Sequence, residues 1–184
     1  MPTFPKAGPE NTEKSLAIAF DAAEKYGLRH LVVASTYGDT ARIAFNMLRS
    51  HPVQLVIVTH NTGFKRPGEQ QFDPELREQL QRAGVPVITG TMPFRTISRA
   101  IRDRLGGSDT DLVANSLRIL CEGVKVCVEI ACMACDAGVV PPEDLVTVAG
   151  TGRGADTVAV VKAQPSNRFF DVRVREIVAK PWEF

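Results

Sequence analysis

Short apolar runs rich in β-branched residues alternate along this chain with longer segments of helical periodicity. The run 53–58 is apolar except for Gln54, as expected of a strand whose two faces are both covered by helices. A strand, a helix and a second strand in this order form a right-handed crossover between parallel strands. The alternation therefore predicts a single α/β domain, 1–184, with three layers and a mostly parallel sheet. The strands are predicted at 30–34, 53–58, 85–89, 145–149, 158–163 and 172–178.

Capping residues indicate where the helices begin and end. Asp73-Pro74-Glu75 combines an N-cap, a proline in the first turn and an acid near the positive end of the helix dipole. Residues 1–10 contain three prolines and are predicted to form an extended N-terminal arm. The helices are predicted from Asn11 or Thr12 to Gly27, at 39–49, from Asp73 to Gly84, at 95–105, and from Asp109 or Thr110 to about Ala137.

Charge and hydropathy exclude several classes of partner. The formal net charge is +1 and the basic residues are spread along the chain, which argues against nucleic-acid binding. The longest apolar stretch, 124–140, contains Lys125, Glu129 and Asp136, so it does not predict a membrane span. Residues 1–5 lack the charged and apolar regions of a signal peptide. We therefore expect a cytoplasmic protein without a nucleic-acid or membrane partner.

All four cysteines fall in the longest predicted helix, where disulfides are geometrically poor. They are interpreted as reduced thiols, which agrees with a cytoplasmic location. Cys132 and Cys135 form a Cys-x-x-Cys motif, but no second cysteine or histidine pair has the spacing of metal ligands. The thiols are therefore predicted to pack between the helix and the sheet, and no metal is expected.

The loop after the first predicted strand carries the first functional signal. Ser35, Thr36 and Thr40 supply hydroxyl groups, and Gly38 permits a tight turn. The helix that begins near Asp39 directs the positive end of its dipole at the same place, an arrangement that favours phosphate. The alternative is that these hydroxyls only cap the helix.

The loop after the fourth predicted strand is richer in glycine. No helix follows it at once, so it does not match the dinucleotide-binding fingerprint. Arg153 adds a fork of donors that suits phosphate oxygens, although it could also be a surface arginine in a flexible turn. The residues of this loop predicted to bind a ligand are Gly150, Thr151, Gly152, Arg153, Gly154, Asp156 and Thr157.

Ligands of open α/β sheets bind at the carboxyl ends of the strands, and both loops begin there. The segment 59–73, which includes the candidates Thr59, Asn61 and Gly63, emerges at the same edge and is long enough to be a lid or a flexible insertion. His60 lies in this segment and has no evident proton-transfer partner, so a solvent-facing position is favoured. The sequence predicts a site for a phosphorylated small molecule, with no catalytic residue assigned.

The longest predicted helix carries a narrow polar stripe on an otherwise apolar surface. Such a stripe is either the solvent edge of the helix or the floor of a site. Lys125 and Glu129 are candidates for contact with the polar end of a ligand, although pairing along the helix weakens that interpretation. The stripe consists of Arg118, Glu122, Lys125, Glu129 and Asp136.

Several motifs together resemble a known family over nearly the whole chain. They are Ala34-Ser35-Thr36-Tyr37-Gly38-Asp39-Thr40-Ala41, Thr59-His60 with Gly63-Phe64, Gly123-x-Lys125-Val126-x-x-Glu129, the loop from Gly150 to Thr157, and Phe169-Phe170-Asp171 with Arg175-Glu176-Ile177. The chain resembles small stand-alone archaeal and bacterial proteins that are similar to the C-terminal α/β domain of pyruvate kinase. The resemblance implies a sheet of order 3-2-1-4-5, with helices on both faces and an antiparallel edge.

The resemblance also implies a ligand. In pyruvate kinase the corresponding domain binds a phosphorylated sugar effector and performs no catalysis, whereas flavin mononucleotide (FMN) is associated with the stand-alone proteins. We therefore expect FMN binding, which leaves room for a flavin-dependent role, and keep a non-catalytic sugar-phosphate sensor as the alternative. A homodimer is a further expectation. Met92-Pro93-Phe94-Arg95, after the third predicted strand, matches no motif of the family and leaves the far wall of the site unassigned.

Overall fold

The computed structural model describes residues 3–49 and 51–184. The strands are β1 (Thr3–Lys6), β2 (His30–Ala34), β3 (Gln54–Val58), β4 (Val87–Ile88), β5 (Asp144–Ala149), β6 (Thr157–Lys162) and β7 (Arg173–Glu183). The α-helices are α1 (Thr12–Tyr26), α2 (Asp39–Leu48), α3 (Pro74–Arg82), α4 (Thr96–Leu105), α5 (Asp109–Arg118) and α6 (Glu122–Asp136). Two 3₁₀ helices, Pro9–Asn11 and Ser166–Asp171, complete the regular structure of these residues.

The strands form one mixed sheet of order β1-β7-β6-β5-β2-β3-β4. Strands β5, β2, β3 and β4 are parallel neighbours, whereas β6 is antiparallel to both β5 and β7. The predicted order 3-2-1-4-5 is confirmed, because the first to fifth predicted strands are β2, β3, β4, β5 and β6. The predicted α/β class with an antiparallel edge is confirmed as well.

Helices cover both faces of the sheet, and the side chains of β2 show why its sequence is continuously apolar. Leu31 and Val33 join the core beneath α1, α2 and α3, while Val32 between them joins the core beneath α6. Successive side chains of a strand point to opposite faces, so a strand covered twice needs apolar residues at every position.

The ends of the sheet differ from the sequence prediction. Within the predicted arm, β1 forms an edge strand parallel to the end of β7, with Phe4 opposite Pro181 and buried. The four residues of β1 include a proline and are too few to show strand periodicity. Their sequence alone therefore does not indicate a strand. Positions 1 and 2 of the arm lie outside the described residues. Strand β4 is shorter than predicted, and β7 continues five residues beyond the predicted end at 178.

The longest predicted helix is in fact two helices, α5 and α6, separated at 119–121. Cys121 lies at the N-cap of α6, and its Sγ accepts a hydrogen bond from the Val124 N–H at 3.4 Å. Gly123 permits a close approach to β6, because a Cβ at that position would lie 2.0 Å from the Thr157 hydroxyl oxygen. The break therefore starts α6 beside the carboxyl ends of the parallel strands.

Helices α4 and α5 and the turn after α5 leave large apolar side chains in solvent. Leu105 is 80% exposed and Ile119 is 78% exposed, and Ile97 and Leu112 are exposed as well. The homodimer expected from the sequence stays a prediction. Among the described residues, no helix has both the length and the apolar character needed to cross a membrane.

Candidate functional site

A cavity of about 480 Å³ opens at the carboxyl ends of the parallel strands. Its walls come from the loops after β2, β3, β4 and β5 and from the first turns of α6. This volume lies within the range of about 300–1,000 Å³ that is typical of small-molecule sites. Five cationic side chains and two anionic ones line the cavity: Lys65, Arg95, Arg118, Lys125 and Arg153, with Asp39 and Glu122. The excess of cations favours an anionic ligand.

The loop after β2, which we call the hydroxyl loop (35–40), ends at the first turn of α2. Gly38 is the N-cap of α2 and has a φ of 111°, a left-handed conformation that favours glycine. Ser35 Oγ accepts a hydrogen bond from the Ala41 N–H at 3.2 Å, so this hydroxyl does cap the helix. Thr40 is buried and lines the cavity at the positive end of the α2 dipole.

The loop after β5, which we call the glycine loop (150–156), is held by very close packing. A Cβ at Gly150 would lie 2.5 Å from the Gly154 carbonyl oxygen, and one at Gly154 would lie 2.4 Å from Pro9 Cα. The Ala155 N–H donates to Thr12 Oγ1 at 3.0 Å, which fixes the loop to the start of α1. The absence of side chains at Gly150, Gly152 and Gly154 keeps the backbone exposed to the cavity they line.

Asp156 and Thr157 hold the glycine loop from beneath. Both are fully buried, and the Asp156 carboxylate accepts hydrogen bonds from Gly8 N–H at 3.3 Å, Thr151 N–H at 3.1 Å and the Thr157 hydroxyl at 2.8 Å. Neither residue lines the cavity. Their contacts show that they position the loop.

Arg153 joins the two loops by an ion pair with Asp39. Its Nη2 and Nε lie 2.7 Å and 3.0 Å from the same carboxylate oxygen, and the guanidinium lies 5.7 Å from the centre of the Tyr37 ring. The carboxylate raises the pKa of Arg153. A phosphate at this place would compete with Asp39 for the guanidinium.

The segment 59–73 is folded against the hydroxyl loop. The Asp73 N–H donates to the Tyr37 carbonyl at 3.1 Å, and the Gln70 side-chain amide donates to the His60 carbonyl at 3.0 Å. The predicted ligand residues of this segment bond within it or, for Thr59, to the residue that follows β4. Thr59 bonds the Thr89 hydroxyl, Asn61 donates to the Thr62 carbonyl, and Gly63 N–H donates to the Glu69 carbonyl. The cavity wall is instead formed by His60, Phe64 and Lys65.

His60 is not the solvent-facing residue favoured by the sequence. It is half-buried and stacks on Phe64, with ring centres 3.9 Å apart, while its Nε2 lies 3.4 Å from the Thr36 hydroxyl oxygen. Its Nδ1 is buried and has no hydrogen-bond partner among the described residues. Burial, followed by the charges of Arg95, Lys125 and Lys65, lowers the pKa of His60 to about 4. His60 is therefore neutral at pH 7.

The low pKa of His60 predicts a loss of stability in acid. Between pH 6.5, the ordinary pKa of histidine, and pH 4, the unfolded chain binds a proton that the folded protein does not. The contribution is therefore fully present above pH 6.5 and is lost as the pH falls toward 4. We expect His60→Gln to show a smaller drop in melting temperature than the parent between pH 7 and pH 4.5. Equal drops would contradict the assignment.

The polar stripe of α5 and α6 is the floor of the site for most of its length. Arg118, Glu122 and Lys125 line the cavity, whereas Glu129 lies behind Lys125. Lys125 Nζ lies 2.5 Å from Glu129 Oε2, and the other oxygen of Glu129 accepts from the Phe94 N–H at 2.8 Å. Arg118 and Glu122 form the second ion pair. Glu122 and Lys125 are therefore both ion-paired at i,i+4 spacing and part of the cavity floor.

Half of the residues predicted from the sequence to bind a ligand line this one cavity. They are Ser35, Thr36, Thr40, Lys125, Gly150, Gly152, Arg153 and Gly154. The others lie beside or beneath its wall: Gly38, Thr59, Asn61, Gly63, Glu129, Thr151, Asp156 and Thr157. Sequence analysis assigned no ligand contact to Tyr37, Phe64, Lys65, Met92 or Arg95, all of which line the cavity. Their position just after strands of the same sheet edge was the signal that could have identified them.

The four cysteines lie outside the lining of this cavity. Cys121, Cys127 and Cys132 are buried and Cys135 is half-buried, all as free thiols. Burial raises the pKa of Cys127 and of Cys132 to about 12, so neither is a reactive thiolate at neutral pH. Within 3–49 and 51–184, no group of three His, Cys, Asp or Glu side chains could hold a metal ion.

No family model matches the chain. Among solved structures, the chain is similar to pyruvate kinase from Cryptosporidium parvum in complex with ADP, at 14% identity and a TM-score of 0.44, over 83% of this chain and 23% of that one. A second crystal structure of a pyruvate kinase from this organism matches at 13% identity and a TM-score of 0.40, over 80% of this chain and 22% of that one. This chain thus spans less than a quarter of the length of those two chains.

Proposed function

We propose that this protein binds a phosphorylated small molecule in the cavity, with the phosphate between Thr40 and the glycine loop. The observation that carries the proposal is the convergence of three kinds of donor there: the start of α2, the Thr40 hydroxyl and the backbone of the glycine loop. Helix N-termini and glycine-rich backbone are favourable surroundings for phosphate. The cationic excess of the lining supplies attraction over a longer range.

The wall beyond the phosphate position is suited to a flat ring. His60, Phe64 and Met92 line it, and His60 and Phe64 already stack on each other. Aromatic faces bind other planar rings by offset stacking. A ligand with a phosphate at one end and a planar ring at the other matches this division of the cavity.

FMN is the ligand that combines these two parts and that the family resemblance implies. The donor set fits its phosphate, and the aromatic wall fits its ring. When bound, the flavin supplies redox chemistry of its own, while the protein contributes binding and orientation. A flavin-dependent role would follow from that binding.

The second candidate is a sensor for a sugar phosphate that performs no chemistry. The polar floor favours it, because Glu122 and Lys125 could bond the hydroxyl groups of a sugar. The two candidates share the phosphate position and differ in what occupies the aromatic wall. Titration with FMN and with glucose 6-phosphate separates them.

The test is to measure the affinity of the protein for FMN, riboflavin and glucose 6-phosphate by calorimetry. We expect FMN to bind and riboflavin, which lacks the phosphate, to bind at least about tenfold more weakly. Thr40→Val removes one hydrogen bond to a charged acceptor and should weaken FMN binding about tenfold. The same substitution should leave riboflavin binding unchanged.

Asp39→Asn is the matched variant with the opposite expected effect. It removes a carboxylate from the phosphate position and frees Arg153, so FMN should bind a few-fold more tightly. Arg153→Ala should weaken binding less than Thr40→Val, because Arg153 is exposed and already paired. Preferential binding of glucose 6-phosphate over FMN would favour the sensor. Absence of binding to any phosphorylated compound would overturn the proposal.

A further inference from the structure

Arg95 occupies the end of the cavity away from the glycine loop. It follows β4, whereas the glycine loop follows β5, and the strand order between them is β5-β2-β3-β4. Three spacings of about 4.8 Å separate these strands, so the two ends of the cavity lie about 14 Å apart along the sheet edge. One ligand group cannot contact both ends.

Arg95 differs from the other arginines of the cavity because its charge is not paired. Arg118 binds Glu122 and Arg153 binds Asp39, whereas no carboxylate of the described residues lies within 4.0 Å of the Arg95 guanidinium. The guanidinium rests on the Phe64 ring, 4.5 Å from its centre. Arg95 is half-buried, and burial lowers its pKa. A partly desolvated cation without a counter-ion is a receptor for an anion.

Two further groups surround the same place. His60 also stacks on the Phe64 ring. Its buried Nδ1 has no hydrogen-bond partner in the described part of the chain. Burial lowers the pKa of His60, and the charges of Arg95 and Lys125, which lie near it, lower it further. The nearby carboxylates are occupied, Glu129 by Lys125 and Phe94 N–H, and Glu122 by Arg118. The potential at this end of the cavity is therefore positive.

We propose that Arg95, together with His60 and Lys125, forms a second anion subsite, and that the ligand carries a negatively charged acceptor at the end opposite its phosphate. This inference rests on the proposed function, because it assumes that the phosphate lies between Thr40 and the glycine loop. Two ligand chemistries provide such an acceptor. One is the carboxylate of a phosphorylated sugar acid, and the other is the anionic ring of reduced FMN.

The first experiment compares 6-phosphogluconate with glucose 6-phosphate, since only the former has a carboxylate opposite the phosphate. We expect the sugar acid to bind about tenfold more tightly, and Arg95→Gln to abolish that difference. Arg153→Gln, at the phosphate end, is the matched control and should weaken both compounds by the same factor. If the parent protein binds the two compounds equally, the anionic acceptor is not a sugar-acid carboxylate and must be the ring of reduced FMN, which the second experiment tests.

The second experiment compares oxidised and reduced FMN. Dithionite supplies two electrons, and with one proton the neutral ring becomes the anionic hydroquinone. If Arg95 favours the anion about tenfold, the midpoint potential of bound FMN is about 30 mV higher in the parent than in Arg95→Gln. Arg153→Gln should leave the potential unchanged, because the phosphate is the same in both redox states. If Arg95→Gln changes neither the preference for 6-phosphogluconate nor the midpoint potential of bound FMN, this inference is wrong. The proposed function would stand.

A third measurement needs no ligand. NMR titration of the free protein should show a depressed pKa of His60, and Arg95→Gln should raise that pKa toward its ordinary value. An unchanged pKa of His60 would refute the positive potential whatever the ligand experiments give. If no phosphorylated compound binds to the parent, the proposed function falls and this inference falls with it.

Discussion

Replacing Glu129 with leucine is expected to lower the free energy of unfolding by about 3–5 kcal/mol. The side chains of Lys125 and Glu129 are 2% and 1% exposed, and their charged atoms lie 2.5 Å apart. Removal of the carboxylate leaves a buried ammonium group without a partner and takes the acceptor from the Phe94 N–H. Urea unfolding followed by circular dichroism measures the loss.

Two further variants separate burial from charge in this experiment. Glu122→Leu breaks an ion pair of the same i,i+4 spacing, but its side chain and that of Arg118 are each 33% exposed, so we expect a cost within about 1 kcal/mol. The double variant Lys125→Met with Glu129→Leu removes both charges and should recover most of the stability. A loss below about 1 kcal/mol in Glu129→Leu would show that water from the cavity solvates Lys125.

The central strands could be predicted from local patterns, whereas their order was expected only from the family resemblance. Runs such as 53–58 are apolar at nearly every position only when both faces of a strand are covered, which β3 confirms. Edge strand β1 could not be predicted, since its four residues carry no periodic signal and pair with a strand more than 170 positions away. The break between α5 and α6 was missed because apolar residues continue through it, and Gly123 packs against Thr157 of β6, a contact distant in sequence.

The two loops of the site could be predicted for a related reason. Hydroxyl and glycine residues directly after a strand form a recognisable local pattern, and the strand order brings Thr40 and Gly152 to one cavity. The opposite wall was not predicted. In the sequence Phe64 is only part of a motif and Arg95 only the predicted start of a helix, and their contact with each other across the loops after β3 and β4 is a tertiary feature that no local pattern shows.

The sequence also could not distinguish residues that line the cavity from residues that support its wall. Asp156 stands in the same motif as Arg153, yet Arg153 is exposed at the cavity and Asp156 is fully buried. A carboxylate is an unfavourable neighbour for phosphate but a strong acceptor for backbone N–H groups. Its charge is therefore consistent with holding the glycine loop rather than with binding the ligand.

Asp156→Ala is accordingly expected to cost about 3–5 kcal/mol, measured by urea unfolding. The substitution leaves three donors without an acceptor: Gly8 N–H and the Thr157 hydroxyl, which are buried, and Thr151 N–H, which is partly buried. Asp136→Ala is the matched control. It removes a carboxylate that also accepts a backbone N–H, from Ser166 at 2.8 Å, but in solvent, so its cost should stay near 1 kcal/mol.

The ligand readout of this variant follows from the same contacts. Because Asp156 ties the glycine loop to Gly8, its removal should weaken FMN binding more than it weakens riboflavin binding, whereas Asp136→Ala should affect neither. The comparison is made without urea, at a temperature where the folded fraction of each variant is known from its unfolding curve. Unchanged stability in Asp156→Ala would mean that the three donors find other acceptors, and the loop would then hold its shape through the close packing of Gly150 and Gly154 alone.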